Sequence, residues 1–373
     1  MSRLDELIQQ YCPDGVEYKY LGEFCEIKTG KGITKKDSDE NGNYPIISGG
    51  ITPMGYYHTF NREGNTVTIS RVGANAGLVS FIDKRFYLND KCFSVIPSDD
   101  TNTKFLYYVL SARENEIKGM QSEGGVPTIN TQKVGSIVIP VPPLPVQEEI
   151  VRILDNFAEL QAELQAELQK RLQQYNYYRD KLLSFNELNR GGQSVSVEWK
   201  KLGDVCELVR GTRVVKKDLS INGAYPVYQN SLKPLGYYDQ FNRAEETTFI
   251  ICAGAAGDIG YSKVKFWSAD DCFSVICPDT ISNRYVFYCL LSQQNRIYSQ
   301  VRKASIPRLS HSAVEALHIP IPPLAEQQRI VDILDRFDKL TTDITAGLPA
   351  EIEARRKQYE YYRDQLLTFK QKA

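Results

Sequence analysis

The sequence predicts a mixed α and β protein in which two similar globular domains are separated by two long antiparallel helices. These helices should form an intramolecular coiled coil with approximate two-fold symmetry. The chain repeats itself, each copy has short β-rich runs broken by turns, and each copy ends in a long segment with apolar residues at helical spacing. The predicted boundaries are 1–16 for an N-terminal helix, 17–142 and 188–322 for the globular domains, and 143–187 and 323–373 for the long helices.

The internal repeat has a period far longer than a solenoid unit and therefore indicates a duplicated domain. Residues 20–26 (YLGEFCE) return as 201–207 (KLGDVCE), an offset of 201 − 20 = 181 residues. The segment 55–62 (GYYHTFNR) returns as 236–243 (GYYDQFNR) at the same offset. Later in the domain the offset shortens by one residue. The chain therefore contains two copies of one domain.

Strands and one helix are predicted within each globular copy. The runs 65–70 (NTVTIS) and 247–251 (TTFII) are rich in β-branched residues and predict strands. Apolar and aromatic residues at helical spacing predict a single helix over about 103–118 and a second over about 283–300.

The segment 146–185 contains neither Gly nor Pro and predicts a helix on the order of 60 Å long. A helix of that length needs a partner, and the nearest one is the second copy's helix, in which Gly347 and Pro349 should cause a kink or a break. The predicted apolar stripe consists of Ile150, Ile153, Phe157, Leu160, Leu164, Leu168, Leu172, Tyr175, Tyr178 and Leu182, with Ile330, Ile333, Phe337, Leu340, Ile344, Leu348 and Ile352 in the second copy.

Composition and charge restrict the classes of function. The net charge of −1 excludes a generally basic surface, so any nucleic-acid site must be a local patch. The sequence has no long uncharged apolar run and no signal-peptide core at its start, so we expect a cytoplasmic protein. Eight cysteines without a Cys-x-x-Cys pair, together with three histidines, lack the spacing of a zinc site, and we expect no metal.

Three motifs that occur in both copies resemble the specificity (S) subunits of type I restriction-modification systems. They are IPVPPLPVQ at 139–147 and IPIPPLAEQ at 319–327, IVRILD at 150–155 and IVDILD at 330–335, and YYRDKLL at 177–183 and YYRDQLL at 361–367. The resemblance covers essentially the whole chain, in the order target-recognition domain, helix, target-recognition domain, helix.

The resemblance implies that each globular domain reads one half of a bipartite sequence in double-stranded DNA. The helices would set the spacing and dock two modification (methyltransferase) subunits, and two restriction (motor-nuclease) subunits would join the full complex. It also implies a non-catalytic chain without a cofactor, with S-adenosylmethionine bound by the partner methyltransferase. The sequence agrees, because it lacks the Asp/Asn-Pro-Pro-Tyr/Phe loop that an adenine methyltransferase needs.

One alternative is an adaptor that joins two protein-binding domains through its coiled coil and does not bind DNA. Exchanging the globular domains of such an adaptor would leave DNA methylation unchanged.

Basic residues kept in both copies are candidates for phosphate contacts, because phosphate binding is a role that both domains would share. They are Lys35, Lys36, Lys216, Lys217, Arg62 and Arg243. For the lysines the alternative is a solvated charged turn, and for the arginines it is a structural hydrogen bond within the repeated segment.

Positions that differ between the copies are candidates for base reading, because the two half-sites differ in sequence. They fall in three loops and are Lys28, Lys31, Arg210 and Arg213 in the first, Arg71 and Asn75 in the second, and Gln121, Thr128, Arg302, Lys303 and Arg308 in the third.

The resemblance also suggests docking residues for the methyltransferase near the ends of the long helices. They are Tyr177, Tyr178, Arg179, Tyr361, Tyr362 and Arg363. The alternative is that these residues serve helix packing and ion pairing.

Overall fold

The computed structural model describes residues 2–122, 125–185, 197–220, 222–342 and 347–372. The chain divides into two compact units, the first formed by Met1–Leu164 with Ile352–Ala373 and the second by Gln165–Glu351. Each unit holds one mixed α and β domain and one segment from each of the two long helical stretches. The predicted fold class is confirmed at this level. The predicted domain edge between 187 and 188 and the stripe residue Ile344 lie outside the described residues.

The first globular domain contains nine strands and five short helices before the long helix begins, counted over the described residues. Its elements are α1 (Arg3–Tyr11), β1 (Tyr18–Tyr20), α2 (Leu21–Phe24), β2 (Cys25–Thr29), β3 (Tyr44–Ile47), β4 (Tyr56–Tyr57), β5 (Thr66–Ser70), β6 (Val79–Ile82), β7 (Tyr87–Leu88), β8 (Cys92–Pro97), α3 (Thr103–Ala112), α4 (Glu114–Gly119), α5 (Thr131–Gly135) and β9 (Val138–Pro140). The long helix α6 (Leu144–Ser184) follows.

The second domain repeats this order. Its elements are β10 (Glu198–Lys201), α7 (Leu202–Val205), β11 (Glu207–Arg210), β12 (Tyr225–Tyr228), β13 (Gly236–Tyr238), β14 (Thr247–Ile251), β15 (Ile259–Ser262), β16 (Trp267–Ser268), β17 (Cys272–Ile276), α8 (Asn283–Ser292), α9 (Gln294–Ser299), α10 (His311–Glu315) and β18 (His318–Ile321). Helices α11 (Leu324–Thr342) and α12 (Leu348–Leu366) end the chain.

The two domains share the same sheet topology. In the first, an antiparallel sheet has the strand order β2-β8-β5-β6, a smaller sheet has the order β4-β3-β7 with β3 parallel to β7, and β1 pairs with β9. In the second, the corresponding orders are β11-β17-β14-β15 and β13-β12-β16, and β10 pairs with β18. The confirmed strands β5 and β14 lie inside the larger sheets, and all five residues of each are buried.

The core of the first domain lies between the larger sheet and α3. Val67 and Ile69 of β5 belong to one buried cluster with Phe105, Leu106 and Val109 of α3. Alternate strand residues point to one face, and residues three or four apart share a helix face, so both sequence periods converge on this core. Among the described helices, none is both long and apolar enough to cross a membrane.

The single helix predicted in each domain is wrong, because the structure has two helices in each place. Arg113 separates α3 from α4, and Gln293 separates α8 from α9. The Arg113 guanidinium donates a hydrogen bond to the Val138 carbonyl, and Gln293 donates one to the His318 carbonyl at 3.0 Å. The residue at each break therefore ties the helix pair to the last strand of its domain, an interaction that helical periodicity does not reveal.

The second long helical stretch is interrupted, as the sequence predicts. Gly347 lies outside both α11 and α12, and Pro349 is the second residue of α12. Proline is tolerated in the first turn of a helix, where its missing N–H has no helical partner.

Within each unit, the start of one long helix packs beside the end of another. Phe157 of α6 stacks on Tyr362 of α12 with ring centroids 5.7 Å apart, and Tyr178 of α6 stacks on Phe337 of α11 at the same separation. These contacts agree with the predicted antiparallel pairing. Leu160 and Leu340, however, are 51% and 55% exposed. The predicted apolar stripe therefore includes residues that are not buried between the helices.

A buried glutamine fixes the first turn of each long helix to its domain. Gln147 accepts a hydrogen bond from the Asn102 amide at 2.8 Å and donates to the carbonyls of Asp100 and Pro142 at 3.1 and 2.6 Å. The side chain is fully buried. Gln327 makes the equivalent three bonds in the second unit.

Replacing Gln147 by leucine should lower the free energy of unfolding of the first unit by about 2–4 kcal/mol, because three buried backbone groups would lose their partner. Hydrogen exchange of amides in each unit, followed by mass spectrometry, measures this change locally. The matched control is Glu148→Gln, on the exposed neighbouring residue, with an expected effect below about 0.5 kcal/mol. Equal exchange in the two variants would contradict the prediction.

Candidate nucleic-acid interface

The three loops that differ between the copies follow corresponding elements in the two domains. Loop A comprises 30–34 after β2 and 211–215 after β11, and loop B comprises 71–78 after β5 and 252–258 after β14. Loop C comprises 120–122 with 125–130 in the first domain and 300–310 in the second. Two of the predicted base-reading residues lie outside these loops. Lys28 belongs to β2, where it forms an exposed ion pair with Glu26 at 2.6 Å, and Arg210 is the last residue of β11.

Backbone hydrogen bonds join loops B and C in the first domain. The Gly73 amide donates to the Pro127 carbonyl at 2.9 Å, and the Ile129 amide donates to the Arg71 carbonyl at 2.8 Å. Because these bonds involve only backbone atoms, they place few restrictions on the side chains that the loops carry.

The second domain repeats both of these bonds at equivalent residues. The Gly254 amide donates to the Pro307 carbonyl at 3.2 Å, and the Leu309 amide donates to the Cys252 carbonyl at 2.9 Å. The frame is therefore common to both copies, although Arg71 in one copy corresponds to Cys252 in the other.

A turn that sequence analysis missed joins loops A and B. This turn is 89–91 in the first domain, where the Lys31 amide donates to the Leu88 carbonyl at 2.9 Å and the Arg71 amide donates to the Lys91 carbonyl at 2.9 Å. Lys91 is exposed and corresponds to Asp271 in the second domain. This reversal of charge between the copies is the signal that would have identified the turn.

The glycine in loop A allows close packing against this turn. A Cβ atom on Gly30 would lie 2.2 Å from the Asn89 carbonyl oxygen, and one on Gly211 would lie 2.0 Å from that of Ala269. A side chain at either position would force loop A away from the rest of the cluster.

The shared arginines hold their own domain together. Arg62 donates three hydrogen bonds, from Nε to the Ser94 hydroxyl at 2.8 Å, from Nη1 to the Asn61 carbonyl at 2.8 Å and from Nη2 to the Thr29 carbonyl at 3.0 Å. Burial lowers the pKa of the Arg62 guanidinium below its ordinary value. This geometry favours the structural alternative that the sequence left open.

Arg243 has the same role in the second domain. Its Nη1 donates to the Asn242 carbonyl at 2.6 Å, and its Nη2 donates to the Arg210 carbonyl at 3.1 Å. Burial likewise lowers the pKa of this guanidinium.

A second group of predicted residues is exposed and available to a ligand. In the described part of the chain, the side chains of these residues make no hydrogen bond or ion pair. They are Lys31, Lys35, Lys36, Arg213, Lys216, Lys217, Arg302, Lys303 and Arg308. Both lysine pairs lie in single turns of 3₁₀ helix, Lys35–Asp37 and Lys216–Asp218, where the side chains extend into solvent.

The remaining predicted base readers already contact neighbouring loops. Asn75 and Gln121 donate their amide N–H groups to the carbonyls of Gly49 and Ala76, at 3.0 and 2.7 Å. The Thr128 hydroxyl lies 2.8 Å from the Ser122 hydroxyl, within loop C. Asn75 and Gln121 therefore connect neighbouring loops, whereas Thr128 closes loop C on itself.

Arg71 and Arg210 are anchored to the turn between loops A and B. Arg71 Nη1 donates to the Asp90 carbonyl at 3.3 Å, and Arg210 Nε donates to the Asp270 carbonyl at 2.8 Å. The Arg71 guanidinium also lies 5.4 Å from the centre of the Phe93 ring. Both guanidinium groups are thus oriented by the cluster.

The second domain has a basic pocket among these loops, with a volume of about 320 Å³. Arg210, Arg308 and His311 line its rim together with Cys252. Burial raises the pKa of the Cys252 thiol to about 11, so this side chain remains neutral at physiological pH. Two guanidinium groups at one rim suit a phosphate or the acceptor edge of a guanine.

The predicted docking residues differ in how far they are engaged within the chain. The rings of Tyr178 and Tyr362 stack on neighbouring helices, and Arg179 and Arg363 pair with the adjacent Asp180 and Asp364. Tyr177 and Tyr361 are 59% and 62% exposed, and Tyr178 and Tyr362 are still 39% and 42% exposed. All four rings therefore keep surface that a partner could contact, with the most on Tyr177 and Tyr361.

Comparison with known proteins accounts for the repeated loops and helices. The family model for the type I restriction modification DNA specificity domain matches residues 13–174 and 195–354. The chain belongs to this specificity family. It is 32% identical to the EcoR124I/EcoR124II type I restriction enzyme specificity subunit of Escherichia coli, covering 99% of this chain and 97% of that protein.

A putative type I specificity subunit of Haemophilus influenzae is also 32% identical, with 95% of this chain and 96% of the relative covered. The crystal structure of a type I S subunit from M. genitalium shares the fold, with a TM-score of 0.64 and 20% identity over 94% of this chain and 95% of that one. These matches extend over both domains of the chain.

Replacing Arg62 by methionine should destabilise the first domain by about 1–3 kcal/mol, because three internal hydrogen bonds are lost. It should leave the salt dependence of DNA binding unchanged. The double variant Lys35→Gln/Lys36→Gln should leave the stability unchanged. It should reduce the slope of log K against log salt by about 1 to 2. Thermal unfolding and salt titration of the complex with its modification subunits measure both effects. A reduced salt slope for Arg62→Met at unchanged stability would show that Arg62 contacts phosphate.

Proposed function

We propose that this specificity subunit directs a type I restriction-modification complex to a bipartite DNA target, with each domain reading one half-site. The observation that carries the proposal is the repeated loop frame. In both domains, backbone hydrogen bonds hold loops B and C together, while the side chains on them differ. Readers of two unlike half-sites need a common frame and divergent contacts. The match to the DNA specificity family gives no support to the adaptor alternative.

DNA binding would use two classes of contact, one with phosphates and one with base edges. The exposed lysines of the 3₁₀ turns, Lys35, Lys36, Lys216 and Lys217, are proposed to contact phosphates in both half-sites. Loop side chains would read the base edges, and Arg is the residue type suited to bidentate contact with guanine. For that role we propose Arg71 in the first domain and Arg210, Arg213, Arg302 and Arg308 in the second.

The chain itself performs no chemistry in this proposal. The long helices set the distance between the readers and dock two modification subunits, which bind S-adenosylmethionine and methylate the target. Restriction subunits join this assembly, and the complex works in the cytoplasm, where host DNA is available. With half-site centres about one helical turn apart and about 3 to 5 bp read by each domain, the unread spacer should be about 6 bp.

Methylation sequencing of DNA from cells with and without this chain tests the function directly. We expect a split recognition motif that disappears without the chain. Exchanging residues 17–142 for the corresponding domain of another specificity subunit should replace one half of the motif and leave the other half and the spacer unchanged. A continuous motif, or an exchange without effect, would contradict the proposal.

Replacing Tyr361 by serine should weaken binding of a modification subunit by about tenfold or more, because an exposed aromatic ring at an interface often acts as an anchor. The stability of the free chain should change little, because the ring is 62% exposed and only its edge contacts Tyr362, with ring centroids 5.4 Å apart. Analytical ultracentrifugation or surface plasmon resonance with the purified modification subunit measures the affinity. Tyr11→Ser, on a ring that is 44% exposed on α1, is the control. Equal affinity for both variants would exclude Tyr361 as an anchor.

A further inference from the structure

A fourth loop lies beside loop B in each domain, and we name it loop D. It comprises 48–55, between β3 and β4, and 229–235, between β12 and β13. Its tip carries a large aliphatic side chain in both copies, Ile51 in the first and Leu232 in the second, which are equivalent in the repeat. Ile51 is 83% exposed and Leu232 is 42% exposed.

Loop D is attached to loop B in both domains. In the first, the Asn75 side-chain amide donates to the Gly49 carbonyl at 3.0 Å, and a Cβ atom on Gly49 would lie 2.8 Å from the Val72 carbonyl oxygen. In the second, the Ala255 amide donates to the Asn230 carbonyl at 3.0 Å. The same junction is thus made by a side chain in one copy and by the backbone in the other.

The base of each hairpin is also closed. The Met54 amide donates to the Ile46 carbonyl at 2.9 Å, and the Leu235 amide donates to the Val227 carbonyl at 2.8 Å. A tip supported at its base and along one side has a defined direction, which is what a contact with one base pair requires.

An exposed aliphatic side chain does not by itself indicate a site, since scattered ones are common on protein surfaces. Here the same position is aliphatic in both copies, whereas its neighbour is Thr52 in one and Lys233 in the other. Loop D also contacts loop B, which carries the candidate base reader Arg71 in the first domain. The major groove presents one aliphatic group to such a residue, the 5-methyl group of thymine.

We propose that Ile51 and Leu232 each contact a thymine methyl group in the half-site read by their own domain. This inference rests on the proposed function and adds a specificity contact that is apolar. It also gives Asn75 a different role from base reading, because its amide positions loop D.

The test uses the complete complex with its modification subunits and synthetic target duplexes in which each thymine is replaced, one at a time, by uracil. Uracil lacks only the methyl group. Wild-type complex should lose about fourfold in kcat/KM for methylation at one thymine of the first half-site, as expected for one buried methyl group. Ile51→Ala should be insensitive at that position and unchanged elsewhere, and Ile51→Val should retain part of the sensitivity.

Leu232→Ala should show the same behaviour in the second half-site. Val264→Ala is the control, because Val264 is 54% exposed in the same domain but follows the end of β15 opposite to loop B. It should behave as wild type at every position. Thermal unfolding of each variant confirms that the fold is intact.

The inference is overturned if wild type is insensitive to every thymine replacement, or if Ile51→Ala and Leu232→Ala keep the wild-type uracil profile. Failure of the proposed function gives a different result, in which exchanging whole domains does not move the half-site specificity. If domain exchange succeeds and the uracil profiles are identical, only the thymine contact is wrong.

Discussion

The buried amide at the start of each long helix is the interaction on which the rest of this structure depends. Gln147 and Gln327 use both ends of their side chains to bind three backbone groups of their own domain. A buried polar group is costly when unsatisfied, so few other side chains of this size can occupy the position. These hydrogen bonds therefore fix the direction of the first helical turn relative to the domain. A purely apolar contact would fix that direction less closely.

Further contacts extend this anchorage along the helix. Asp155 of α6 accepts hydrogen bonds from Tyr108 and Lys104 of α3, both at 2.6 Å. Asp335 of α11 accepts from Tyr288 and Arg284 of α8 in the second unit. The two copies thus preserve the joint between helix and domain, including an acidic residue paired with a tyrosine and a cation. A protein that uses its helices to set a distance requires this stiffness where each helix leaves its domain.

The recognition loops differ from these joints between helix and domain, where the side-chain contacts are kept in both copies. The two copies share the backbone hydrogen bonds between the loops, but the side chains that the loops carry differ. The frame consists of backbone hydrogen bonds and of glycines such as Gly30, which allow loop A to approach the turn closely. Because the bonds that join loops B and C in both copies are backbone bonds, substitution at the exposed Arg302 can change the surface without unfolding the domain. This separation explains how one duplicated fold can present two unlike surfaces.

Much of this organisation could be predicted from sequence, because it depends on repeats and periodicity. The duplicated domain, strands β5 and β14, the long helix α6 and the interruption near Gly347 all leave local patterns. The break at Arg113 could not be predicted, since the side chain there bonds to the Val138 carbonyl, which is distant in sequence and leaves no local pattern. Loop D could not be predicted for a similar reason, because only folding brings it beside loop B. The turn containing Lys91 could have been recognised from the reversal of charge between Lys91 and Asp271.

The shared arginines show that comparing the two copies of the repeat does not by itself distinguish a binding residue from a structural one. A residue kept in both copies can serve a common ligand or a common fold. Arg62 donates three hydrogen bonds and Arg243 two to groups of their own domain. The lysines of the 3₁₀ turns are kept equally well, yet their ammonium groups reach solvent. Burial separates the two cases, because a cation that gives up water must find its partners within the domain. The internal repeat selects the candidates, and only their surroundings distinguish a structural cation from one that is free to meet a phosphate.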